Sequence, residues 1–264
     1  MVSGRRSPGP ASLLVVALGV LVAAACGGKG PASRTATTPV PTVGVIKTCL
    51  HGAGSPAPFR FTTSDGASLV GVVLGDGRAG LVLGHQAGSD LCEWLPHARS
   101  FAKQGYRVLV FDFEGSGDSQ PGPGADGRLD TDVAAAAEQL RRRRADAVVL
   151  VGSSMGGTAV LAAAAEIRPP VARVVSLSGP ARFQGVDAAA AVARLRVPVL
   201  FVASSDDSPF VDDARAMYRA ARVRDKRLLV IAGVNHGTSM LDVGDDAPKV
   251  LAAVREFIAR HARA

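Results

Sequence analysis

The chain has 264 residues, room for one sizeable domain and a short appendage, and its 47% hydrophobic content is enough for a core. The formal charge is +7, but only 5 of the 30 basic residues are lysines. The excess is carried by arginine, with no basic stripe interleaved with aromatics, and that argues against a nucleic-acid partner.

In chain order, residues 1–25 read as a targeting segment. Arg5 and Arg6 form a charged start, and "ASLLVVALGVLVAAA" (11–25) is an apolar run too short for an ordinary membrane span. It ends in "VAAAC", and small residues before a cysteine resemble the lipobox of bacterial lipoproteins. That resemblance implies that Cys26 is acylated, palmitate included, and becomes the mature N-terminus. The protein would then be exported and lipid-anchored to the outer face of the cell membrane. A secretory signal cleaved nearby, giving a secreted protein, and an uncleaved anchor are the alternatives. Residues 26–57, rich in Gly, Pro, Ser, Thr and Ala, read as the lipidated N-terminus and a flexible linker, with the folded domain over 58–264. Cys49 and Cys92 remain as an even pair, which an exported protein can bond as a disulfide; two buried thiols are the alternative.

From Phe59 the pattern alternates. Two β-rich runs flank Asp65-Gly66 as a hairpin. "GLVLG" (80–84) is a short strand, and Leu91 to Ala102 follow helical spacing up to Gly105. "YRVLVFDF" is a strand, "LDTDVAAAAEQLRRRR" a helix with acids first and arginines last, "AVVLVG" a buried strand, and 155–166 an alanine-rich helix. Three more strands, "VARVVSLSG", "RVPVLFVASS" and "RLLVIAG", and helices over 211–221 and 246–262 complete the chain. Strands alternating with helices predict a mostly parallel sheet covered on both faces.

The chemistry centres on Gly152-Ser153-Ser154-Met155-Gly156. A G-x-S-x-G between a buried strand and a helix sets its serine on a sharp turn above the sheet edge. The helix N-terminus beneath it offers N–H donors to a developing oxyanion. Ser154 is the candidate nucleophile; Ser153 fails the spacing and reads as structural. A nucleophile needs a base and an orienting acid. Of five histidines, His236 alone follows the last strand in a glycine-containing loop, "AGVNHGTS". The acid candidates are the adjacent Asp206 and Asp207, of which one can point at His236. His85 has no partner ligands at metal spacing, so no metal site is expected.

These motifs, with "VPVLFVASSDDSPF" and "GYRVLVFDFEGSGDSQ", resemble the α/β-hydrolase superfamily over roughly residues 59–262. The resemblance implies an α/β-hydrolase fold with a central sheet of about 8 strands, and it places the acid on Asp207. Glu114 stands where the family has arginine. The oxyanion donors would be the N–H groups of Met155 and Ala87, with Gln86 as the alternative, and His85 would shape that loop. Only residues 180–196 connect the sixth strand to the acid-bearing strand, so no large cap domain fits and the site should be open. The expected function is a serine hydrolase of the dienelactone-hydrolase-like or small esterase type. It would cleave an ester or related acyl bond of a small-molecule or envelope-derived substrate, with no cofactor. An envelope acyltransferase on the same scaffold and a non-catalytic surface-binding lipoprotein are the other readings.

Overall fold

A computed structural model describes residues 47–51, 55–123 and 128–260. The targeting segment, Cys26 and most of the linker lie outside the described residues. The described chain opens with β1 (Phe59–Thr62) and β2 (Ser68–Leu74), the expected hairpin, followed by β3 (Ala79–Gly84). A single 3-10 turn, Leu91–Trp94, then leads into α1 (Leu95–Lys103). The stretch read as one helix from Leu91 is therefore two pieces, joined where Pro96 occupies the first turn of α1 and suits a helix start.

β4 (Tyr106–Phe111), α2 (Leu129–Arg142), β5 (Ala147–Ser153), α3 (Met155–Glu166) and β6 (Arg173–Leu177) follow at the expected places. The 180–196 connection holds a two-residue-strand hairpin, β7 (Arg182–Phe183) with β8 (Val186–Asp187), and α4 (Ala188–Val192). β9 (Val199–Ser204), α5 (Phe210–Ala220), β10 (Lys226–Ile231), α6 (Ser239–Asp242) and α7 (Ala247–Ala259) end the described chain. The short α6 was not foreseen, because one helical turn carries too little periodicity to read.

Eight strands make one sheet in the order β1-β2-β4-β3-β5-β6-β9-β10. The two hairpin strands run antiparallel; from β4 onward every neighbouring pair is parallel. Side chains alternate across each strand, so successive residues feed opposite faces. Val82, Leu109, Leu150 and Phe201 face a core shared with α2, α3, α4 and α5. Leu81, Leu83, Val108, Val110, Val149 and Val151 face a second core built with α1, α6 and α7. α3 is apolar all round and almost wholly buried, as expected of a helix at the centre of one layer.

Register decides where the chemistry falls. Gly84 is level with Phe111 of β4 and with Gly152 of β5; Ser153 is level with Leu177 of β6; Ile231 of β10 is level with Ser204 of β9. The loops after β3, β4, β5, β6, β9 and β10 therefore leave one edge of the sheet together.

The domain boundary lies earlier than the expected 58. Thr48–Leu50 is a 3-10 turn with Leu50 in the second core, and Cys49 is bonded to Cys92. The pair expected to form a disulfide does so, and its consequence is that this part of the supposed linker belongs to the domain body.

Candidate active site

The site is set by the turn that joins β5 to α3. Ser154 sits at φ 49°, ψ −115°, a backbone conformation that side-chain-bearing residues rarely adopt. Its N–H donates to Leu177 O at 2.8 Å and its carbonyl accepts from Thr158 N at 3.1 Å, so neighbours on both sides hold the strained turn. The Gly156 N–H donates to His85 O at 3.2 Å, and a Cβ at Gly156 would collide with the backbone of Gly84 and His85. Glycine there lets the helix start against the end of β3.

The acid and the base meet. His236 Nδ1 lies 2.8 Å from Asp207 Oδ2, which fixes the proton on Nδ1 and leaves Nε2 as the free nitrogen. Asp207 is buried and also accepts from Ser178 Oγ at 2.8 Å on the same oxygen. Ser178, at φ 48° in the loop after β6, is a site residue that sequence reasoning missed. Its only signal was a serine before glycine at a strand end. The His236 ring packs on Phe210 with centroids 4.3 Å apart, and the His236 backbone N–H donates to Ser239 Oγ at 2.9 Å. Asp206, the adjacent acid, is exposed, and its backbone N–H donates to Gly233 O. Its side chain does not cap α5.

Ser154 Oγ makes no hydrogen bond to His236 or to any other described residue. Catalytic hydrogen bonds are commonly loose in a free enzyme and tighten around the reacting group. Ser153 joins three loops instead: its Oγ accepts from Thr238 N at 3.2 Å and donates to Gln86 Oε1 at 3.4 Å.

The loop after β3 is held at both ends. His85 is fully buried; its Nδ1 donates to Gln86 O at 2.8 Å and its Nε2 accepts from Phe113 N at 3.0 Å. Both bonds suit a neutral ring, and burial lowers its pKa. The Gln86 N–H donates to Glu93 Oε2 at 2.9 Å. The N–H groups of Ala87 and Met155 have no partner among the described residues. In the loop after β4, Glu114 makes none of the ion pairs an arginine would: its Oε2 accepts from Gly122 N, and its N–H donates to the buried Asp132.

Comparison with known proteins agrees with this architecture. A family model, alpha/beta hydrolase fold, matches residues 77–190. The chain is similar in structure to the Pyrococcus furiosus esterase Pf2001, at a TM-score of 0.67 and 18% identity, covering 77% of this chain and 89% of that one. It is also similar to the esterase domain of a Rhodothermus marinus protein, at a TM-score of 0.58 and 25% identity over 76% of this chain and 98% of that one. In sequence it is 33% identical over 119 residues to the Salmonella typhimurium protein YfhR, described as uncharacterized. That match takes in 44% of this chain and 36% of YfhR, so the chain spans about a third of the length of this curated relative. The fold is that of the α/β hydrolases, with a mostly parallel eight-stranded sheet.

Proposed function

We propose that the chain is a serine esterase that works through an acyl-enzyme, with Ser154 as nucleophile, His236 as general base and Asp207 as the orienting acid. The observation that carries this reading is the 2.8 Å Asp207–His236 contact, made by loops that end beside the strained Ser154 turn. Asp207 holds Nδ1–H, so Nε2 is the atom able to take the Ser154 proton as the hydroxyl attacks a carbonyl. The same nitrogen returns the proton to the leaving alkoxide. Water then repeats the cycle on the acyl-enzyme. The oxygen that becomes negative in each tetrahedral intermediate is met by the N–H groups of Ala87 and Met155, both unpartnered among the described residues, at the positive end of α3. The 180–196 connection supplies a small hairpin and a five-residue helix, so an accessible ester or related acyl compound suits the site.

A fluorophosphonate probe tests the reading directly. The wild-type chain should be labelled, and Ser154→Ala should lose labelling and cut ester turnover by at least about 10⁴-fold. Equal labelling of the alanine variant would falsify the assignment.

The sequence "VAAAC" supports a second proposal, that the chain is exported and anchored through lipid on Cys26, which keeps the hydrolase at the outer face of the cell membrane. Detergent-phase partitioning of the wild type, lost in Cys26→Ala, is the expected result. A wild type that stays wholly in the aqueous phase would count against the anchor.

A further inference from the structure

We propose that Lys47 is a positioning residue for the oxyanion side of the site, delivered from outside the sheet by a segment that the Cys49–Cys92 disulfide staples in place. This rests on the hydrolase reading above for its kinetic consequences, and on geometry alone for its structural ones.

The side chain of Lys47 is 7% exposed, and its ammonium lies 2.7 Å from Asp90 Oδ2, 3.1 Å from Asp112 Oδ2 and 3.9 Å from Asp118 Oδ2. Burial alone would lower its pKa, but the hydrogen bond to Asp90 and the charge of Asp112 outweigh that and raise it, so the group is a cation at any ordinary pH. The carboxylates it neutralises hold the loops after β3 and β4, beside the proposed oxyanion donor Ala87. Asp112, fully buried, accepts from Leu91 N at 2.8 Å and from Asp118 N at 2.8 Å. Asp90 accepts from Cys92 N at 2.7 Å and so starts the 3-10 turn. Within that turn Glu93 takes the N–H of Gln86, directly before Ala87. An unbroken series of contacts therefore runs from Lys47 through Asp90 and the 91–94 turn to the peptide next to the proposed oxyanion donor.

Two further features mark the cation as built in. Gly117, at φ 51°, closes on the cluster so tightly that a Cβ there would collide with the Asp112 carboxylate and the Lys47 ammonium. The disulfide joins the residue two after Lys47 to the turn that Asp90 starts. A carboxylate pair of this kind would repel itself without an interposed cation. Lys47 lies outside the 77–190 stretch that matches the family, so this chain brings the cation from its own N-terminal side.

The test uses the full chain with Lys47→Met, Lys47→Arg and the double variant Cys49→Ser/Cys92→Ser. Amide hydrogen exchange is read over residues 85–93, together with kcat and KM on a chromogenic ester and affinity for a trifluoromethyl ketone, a mimic of the tetrahedral state. Lys47→Met should speed exchange over 85–93 and lower kcat about tenfold, less than loss of a whole oxyanion donor, with KM little changed. Affinity for the ketone should fall in parallel with kcat, and Lys47→Arg should keep most of both. The cysteine variant keeps the charge and releases the staple, so it should show the same exchange change at smaller size. If Lys47→Met does not fold, the cysteine variant carries the test. Unchanged exchange over 85–93 in Lys47→Met, or in the cysteine variant where Lys47→Met does not fold, would overturn the proposal. A wild type inert toward esters and fluorophosphonate would sink the hydrolase reading, while the exchange comparison would still decide the role of Lys47.

Discussion

The two halves of the catalytic edge are built on opposite plans. On one side, the loops after β6, β9 and β10 bring Ser178, Asp207 and His236 into direct contact, and two of these three side chains belong to the proposed triad. On the other, the loop after β3, braced by the loop after β4, offers only a backbone N–H, that of Ala87, to the proposed chemistry. There a cluster of carboxylates, one lysine and a disulfide do the holding. A side chain that reacts can be fixed by one partner, as Asp207 fixes His236. A peptide N–H has no handle of its own, so its direction must be set by everything bonded to the loop that carries it. Charge neutralisation then becomes part of positioning, because the buried Asp112 holds two loop amides only as an acceptor with its charge balanced.

The largest effect that probes this difference is on the direct side. Asp207→Asn should lower kcat by about 10⁴-fold, because an asparagine favours the wrong histidine tautomer. Asp206→Asn should leave kcat close to the wild type, since that carboxylate is exposed and contacts neither His236 nor Ser178. Paired kcat measurements decide it: equal losses in the two variants would mean that the acid is shared or misassigned. The contrast with Lys47→Met is the sharper comparison. Loss of a contacting acid removes a role in proton transfer, whereas loss of a remote cation only loosens a donor.

The same division explains what was legible in the sequence. Ser154 and His236 could be read because each follows a predicted strand and carries a reactive group in a glycine-rich setting. Two adjacent aspartates could not be separated by spacing; the family pattern chose Asp207, and the backbone shows why one must turn away. The Asp206 N–H is tied to Gly233 O, which leaves its side chain on the outside. Ser178 was hidden because its role depends on a positive φ that no local residue demands. Lys47 was hidden more deeply. It stands in a stretch whose composition reads as a tether, and its partners lie after two strands far along the chain. Ion pairs between distant segments leave no periodic trace, so the charge-braced half of the site was the illegible half.

A smaller effect sharpens the contrast within the braced side, where two buried aspartates find two solutions. Asp112 is paired with Lys47, whereas Asp132 has no cation beside it among the described residues and accepts only the Glu114 N–H, with Oδ1 unpartnered. Burial drives the Asp132 pKa up to about 8, the Glu114 N–H opposes the shift, and the charge of Glu114 adds to it. The folded protein therefore holds a proton there at neutral pH that the unfolded chain releases near pH 4. Below pH 4 both states keep the proton and the group costs nothing. Between about pH 4 and 8 only the folded state keeps it, so this group lowers stability by up to about 1.4 kcal/mol for each unit of rising pH. Asp132→Asn keeps an oxygen for the Glu114 N–H and removes the titration. The wild type should lose thermal stability from pH 5 to pH 8 more steeply than the asparagine variant, and the variant should be the more stable protein at pH 8. Parallel melting curves of the two across that range would mean that Asp132 is ionised in the fold. Its charge would then need a partner of the kind Lys47 gives Asp112.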